Sequence, residues 1–154
     1  MPVGPRHVGI RVSGGRLYVI GGYAKSGFSV WNPVATVYAY DPAADSWTER
    51  VPMPTARGAL SVTEHDGKLY AIDGFDRKAN NAQVEVYDPA KNEWTSAAPL
   101  PTARHGLGSA VVREHIYFIS GVSTPGGSFS DLKEVFAHGR KRLSPQRSGT
   151  LVRC

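Results

Sequence analysis

Two stretches of this chain superimpose without a gap: PMPTARGALSVTEHDGKLYAIDG (52–74) and PLPTARHGLGSAVVREHIYFISG (99–121). A less complete copy, PRHVGIRVSGGRLYVIGG, runs over 5–22. A second pair of matches follows, VYAYDPAADSWTERVPMPTAR (37–57) against VEVYDPAKNEWTSAAPLPTAR (84–104). Tyr40 to Tyr87, Trp47 to Trp94, Pro54 to Pro101 and Arg57 to Arg104 are each 47 residues apart. Leu17 to Leu69 is 52, because the first unit carries a longer loop. A repeat near 50 residues with several anchors per unit demands a repetitive architecture, in which each unit buries its apolar faces against its neighbours.

Each unit reads as short strands. The first strand is expected over 57–63 and 104–112, rich in small and β-branched residues. The second covers 17–20, 69–72 and 116–119, apolar runs that end at a glycine. The third covers 37–40, 84–87 and 132–136, and in the first two units Asp-Pro stops it. Proline cannot donate to a ladder, so Pro42 and Pro89 mark turns. A fourth short strand is built around Trp47 or Trp94. No segment sustains an apolar i, i+3, i+4, i+7 face, so the fold class is all-β. The 17 glycines and 11 prolines fit that reading, since both residues interrupt helices and supply turns.

The net charge of +5 is local. All 13 acidic residues lie within 1–138 and are balanced there by 13 Lys and Arg, leaving the excess on Arg140, Lys141, Arg142, Arg147 and Arg153. Residues 139–154 therefore read as a basic, unstructured tail, and the folded part has no basic stripe for nucleic acid. No apolar run reaches the roughly 18 residues of a membrane span, and no secretory signal is visible. The single cysteine, Cys154, excludes a disulfide framework. Taking Met1 as the true start points to the cytoplasm; the compartment is otherwise open.

Gly21-Gly22 after an apolar strand, Tyr-Asp-Pro after the next, and Trp47 or Trp94 some six residues on together resemble the Kelch repeat. The resemblance covers 5–138, with units at about 5–56, 57–103 and 104–138. The double glycine becomes Asp73-Gly74 and then Ser120-Gly121, which implies a backbone needing positive φ at one of the two positions. Phe136 stands in place of tyrosine, with no Asp-Pro after it. The resemblance implies four-stranded antiparallel β-propeller blades: two complete and a three-stranded third, in an incomplete ring. The first strand of each blade would line the channel and the Trp strand would lie outermost. The chain thus resembles the C-terminal half of a roughly six-blade protein, and its open blade faces are expected to favour self-association. Gly21, Gly22, Gly74, Gly121, Tyr40, Tyr87, Trp47 and Trp94 are read as structural anchors.

Binding is expected in the loops between the second and third strands, 23–36, 75–83 and 122–131, which differ most between units. They display Tyr23, Lys25, Phe28, Trp31, Arg77, Asn80, Asn81 and Phe129, with exposed aromatics and arginine as the usual interface anchors. Arg6, Arg57 and Arg104 recur at the start of each unit. In Kelch adaptors this position often faces a pocket that grips acidic peptides, for which guanidinium forks suit carboxylates. Against that stands a purely structural arginine, satisfying carbonyls between blades. Catalytic patterns are poor. The histidines show no metal-ligand spacing, Gly126-Gly127-Ser128 lacks the lysine of a phosphate loop, and no cofactor is implied. The sequence reads as a non-catalytic protein- or peptide-binding module. The alternatives are part of a propeller enzyme, such as a sugar mutarotase resembling Kelch-type sialic-acid epimerases, and a structural fragment.

Overall fold

The computed structural model describes residues 4–124, 127, 129–137 and 144–146. The first sheet contains β1 (Gly9–Ser13), β2 (Arg16–Ile20), β5 (Val37–Asp41) and β6 (Ser46–Arg50) in that order. The second contains β7 (Ser61–His65), β8 (Lys68–Ile72), β9 (Val84–Asp88) and β10 (Glu93–Ala97), and the third β11 (Gly108–Val112), β12 (His115–Ile119), β13 (Lys133–Ala137) and β14 (Ser144–Gln146). Every pairing is antiparallel. These are propeller blades. β1 and β7, and likewise β7 and β11, lie side by side, with Arg11 Nε donating to Val62 O at 3.0 Å and the Ser61 and Ser109 hydroxyls 2.6 Å apart.

Apolar residues face the two blade junctions. Tyr18, Ile20, Val37 and Ala39 of the first blade pack on Leu60, Val62, Leu69, Ala71 and Tyr87. Tyr70, Ile72, Val84 and Val86 pack on Leu107, Ile116 and Phe118 in the same way. The Tyr-Asp-Pro motif is a turn device. The Asp41 carboxylate accepts from Ala43 N and Ala44 N, and the Tyr40 hydroxyl donates to Asp45, which takes a left-handed φ of 44°. In the second blade Asp88, Tyr87 and Asn92 repeat the arrangement. Trp47 and Trp94 pack at 5.0 and 5.1 Å on the tyrosine of their own blade, and Trp94 Nε1 donates across the junction to Val51 O. Of these four aromatics Tyr87 is fully buried, whereas Tyr40, Trp47 and Trp94 are half-buried.

Three expectations are corrected. The first strands begin later than 57 and 104, because a left-handed residue, Ala59 or Gly106, turns the chain just before each. The third blade has four strands: Ser144–Gln146 pairs with Lys133–Val135, satisfying an edge that would otherwise offer unpaired backbone groups. The rest of the expected unstructured tail, 139–143 and 147–154, lies outside the described residues. Both positions of the double glycine have positive φ, not one. The first takes 64°, 60° and 66° at Gly21, Asp73 and Ser120, a left-handed well that Asp and Ser tolerate. The second takes 106°, 118° and 101° at Gly22, Gly74 and Gly121, outside that well, so glycine is kept.

Asp73 ties the second blade to the third. It is fully buried, and its Oδ1 accepts from Arg104 N at 2.7 Å, while Oδ2 has no hydrogen-bond partner among the described residues. Burial pushes its carboxyl up to about 8, opposed by the Arg104 amide bond and the Arg104 charge. A carboxyl whose folded value lies above its ordinary 3.8 makes the native state bind its proton more tightly. Its contribution is therefore full below about pH 4 and is lost as pH rises to about 8. Asp73→Asn, which keeps the accepting oxygen, is expected to flatten that decline and raise the urea midpoint at pH 9 relative to the parent. Parallel midpoints for parent and variant across that range would expose an error.

Candidate functional site

Repeat register builds a cleft at the end of the blades where the second-to-third-strand loops gather. In each unit the residue after the double glycine bridges to the segment preceding the first strand: Arg6 with Tyr23, Gly58 with Phe75, and His105 with Val122. The next residue of each segment is left-handed, with φ of 53°, 52° and 66° at His7, Ala59 and Gly106. Backbone bonds string these three together, Ala59 N to His7 O and Gly106 N to Ala59 O, both 2.9 Å. They form the floor of a cleft of about 480 Å³ walled by Tyr23, Trp31, Phe75, Arg77 and His105.

The first wall comes from an element without a counterpart in the other blades among the described residues. Residues 23–36, expected as a loop, form a hairpin of β3 (Tyr23–Ser26) and β4 (Ser29–Pro33) that raises Trp31 beside the floor. The Trp31 ring lies 5.3 Å from both His7 and Tyr23, and the Arg6 guanidinium sits 5.1 Å over it. Tyr23 is buried and donates to Phe75 O at 2.6 Å. Burial, with the Asp76 charge, pushes its hydroxyl up to about 12, so it remains a donor at neutral pH. Gly58 is small for a reason: a Cβ there would meet the Tyr23 ring at 2.3 Å.

The other wall is stacked and wired. Phe75 and His105 have ring centres 5.3 Å apart. Asn80 Nδ2 donates to Val122 O at 2.8 Å, which makes its Oδ1 the acceptor for His105 Nδ1–H at 2.7 Å. Burial lowers His105 below the usual imidazole value, and this network leaves a neutral ring with Nε2 as acceptor. Asp76 is held below the usual carboxylate range by the Ala79 and Lys78 amides, so a negative charge stays beside Arg77 in a second, more open recess of about 530 Å³.

The expected site residues divide. Tyr23, Trp31 and Arg77 line the cleft, Arg6 covers Trp31, and Asn80 orients His105. Asn81 instead caps its own turn, accepting from Gln83 N. Lys25, Phe28 and Phe129 are exposed and are not among the residues lining the cleft.

The recurrent-arginine reading is corrected in role at Arg57 and Arg104, where the structural alternative fits, and in register at Arg6. Arg57 and Arg104 are fully buried and cannot meet a partner. Arg57 donates to the carbonyls of Asp73, Thr55 and Ala71 and pairs with Glu85; Arg104 donates to Ser120 and Leu132 and pairs with Glu134. The bridges and left-handed residues place Arg6 opposite Gly58 and His105 in register, so Pro5 occupies the arginine position in the first blade. Tyr38 stands there in place of the carboxylate, and the exposed Arg6 is a different residue in function. His7, Phe75 and His105 were not singled out from sequence. The available signal was position: Phe75 follows its double glycine as Tyr23 does, and His7 and His105 each follow an arginine. No metal-binding set lines the cleft among the described residues; one group of possible ligands, His65, Asp66 and Glu114, lies elsewhere.

A family model described as the Kelch motif matches residues 5–54 and 56–101. The chain is 36% identical over 69 residues to human Kelch-like protein 33, covering 45% of this chain and 13% of that protein. It is 35% identical over 78 residues to Beta-scruin of Limulus polyphemus, covering 51% and 8%, and 32% identical over 76 residues to Kelch-like protein terF of Aspergillus terreus, covering 48% and 17%. It therefore spans less than a fifth of these relatives. The solved structure of YjhT matches 93% of the chain with a TM-score of 0.83 at 17% identity, a likeness of fold, and 52% of that chain is covered.

Proposed function

The chain belongs to the Kelch-motif family of β-propeller proteins, and from that premise we propose that it is a protein- or peptide-binding module whose recognition surface is the cleft over His7, Ala59 and Gly106. The carrying observation is the composition of its walls. Trp31, Phe75 and His105 offer ring faces around the buried Tyr23, while Arg77 and Arg6 bring cations to the same opening. An apolar recess with a few convergent polar groups is the usual form of a binding pocket. Rigid aromatics and arginine are the residue types that dominate binding energy. The occupant best suited is an extended segment that places an aromatic or proline ring in the cleft and a carboxylate near Arg77. The buried Arg57 and Arg104 hold the frame and take no part.

Selection of a displayed peptide library on the chain tests this reading. Enriched peptides are expected to share a ring-plus-acid pattern and to lose at least tenfold in affinity to Trp31→Ala, with a smaller loss for Arg77→Ala. Trp31 is 43% exposed, so its replacement is expected to leave the circular dichroism unchanged. Enriched peptides that bind Trp31→Ala as well as the parent would move recognition to another surface. Flanking imidazoles and a stacking indole also suit a sugar ring, the enzyme reading. Saturable binding of free sugars with no peptide enriched would favour it.

A further inference from the structure

A second constellation lies one strand length, about 16 Å, from the cleft. β7 runs from the cleft end to His65, and the turn after it carries Asp66 at a φ of 51°. The equivalent turn of the next blade, between β11 and β12, carries Glu114. One ligand atom from each of His65, Asp66 and Glu114 lies within 4.8 Å of the others. The imidazole is buried and the two carboxylates are exposed.

We propose that these three side chains bind a divalent transition-metal ion, zinc above all, across the junction of the second and third blades. His65 Nε2 stands 3.6 Å from Asp66 Oδ2, longer than a good hydrogen bond. Two ligands on a tetrahedral zinc with bonds of 2.0–2.1 Å are roughly 3.3 Å apart, so the His65–Asp66 pair is near that spacing. The exposed Glu114 carboxylate, within 4.8 Å, would close on the ion to complete the set. Among the described residues neither carboxylate is paired with a Lys or Arg, although Lys68 and Arg113 flank the two turns. One imidazole nitrogen and two carboxylate oxygens form a mixed set suited to zinc or manganese, with the remaining position left to water. The set is specific to this junction: Ser13 and Val112 occupy the position of His65 in the other blades, and Gly15 and Gly67 that of Glu114. The ligands come from two blades, so binding would brace one junction against opening.

The test uses the full chain with Cys154→Ser throughout, because a thiolate would itself take zinc. Zinc affinity is read by competition with a chromophoric chelator, and cobalt substitution is followed by its visible absorption. One ion per chain is expected, and Glu114→Gln and Asp66→Asn should each weaken zinc about tenfold or more. Both replaced residues are exposed, so neither variant depends on refolding a core. His65→Ala should remove the cobalt absorption. No binding at millimolar zinc, or an affinity for Glu114→Gln within threefold of the parent, would overturn the site and leave an adventitious ion only.

Discussion

Arg57→Met is expected to lower stability by about 3–5 kcal/mol, seen as a fall in the urea midpoint at unchanged m-value. The guanidinium is fully buried, and its loss strands the Glu85 carboxylate, itself 4% exposed, and leaves three carbonyls without their donor. Removing one partner of such a pair costs far more than the pair contributes, because an unmatched buried charge remains. Arg57→Met with Glu85→Leu should therefore recover much of the loss. Arg6→Ala, at an exposed position that the sequence places beside Arg57 and the structure does not, should stay within about 0.5 kcal/mol. A loss below about 1 kcal/mol for Arg57→Met would mean that the pair is not holding the blade.

Gly74→Ala should also be severe, on the order of 3 kcal/mol. Its φ of 118° lies where L-residues are strained, and a Cβ would sit 3.0 Å from Gly58 O and 3.2 Å from Arg57 Cδ. Neither neighbour can withdraw, since Gly58 is bonded through its backbone to Phe75 and Arg57 is locked by its carbonyls. Ser120→Gly is the matched control one position earlier in the next blade. There φ is 66°, and the change should stay within about 1 kcal/mol. Equal losses at the two sites in thermal or urea unfolding would refute the distinction between the first and second glycine positions.

What sequence could and could not reveal follows from these same residues. Strands were legible because apolar alternation and Asp-Pro turns are local, and β5, β8 and β9 fall within a residue of where the pattern places them. The repeat arginines were legible as a recurrence but not in role. Their burial depends on Glu85 and Glu134, about thirty residues away, and only the pairing of strands brings these into reach. Arg6 was misaligned by one residue because arginine at 6 mimics arginine at 57; the left-handed His7 and Ala59 reveal the true register. The hairpin over 23–33 and the strand at 144–146 are not legible in sequence, because short edge strands carry little alternation and are fixed by the backbone groups they satisfy. His7, Phe75 and His105 converge from three separate units, a juxtaposition that no window of sequence contains.

The floor of the cleft is made of main chain: left-handed residues in a row, joined amide to carbonyl. The junctions beside it are likewise backbone bonds, from Gly22 N to Arg57 O and from Gly74 N to Arg104 O. Side chains enter chiefly as walls, with the Tyr23 hydroxyl on Phe75 O and the Asp73 carboxylate on Arg104 N adding to the junctions. Replacing Trp31, Arg77 or His105 would therefore recast the walls of the cleft without removing any of the main-chain bonds beneath them.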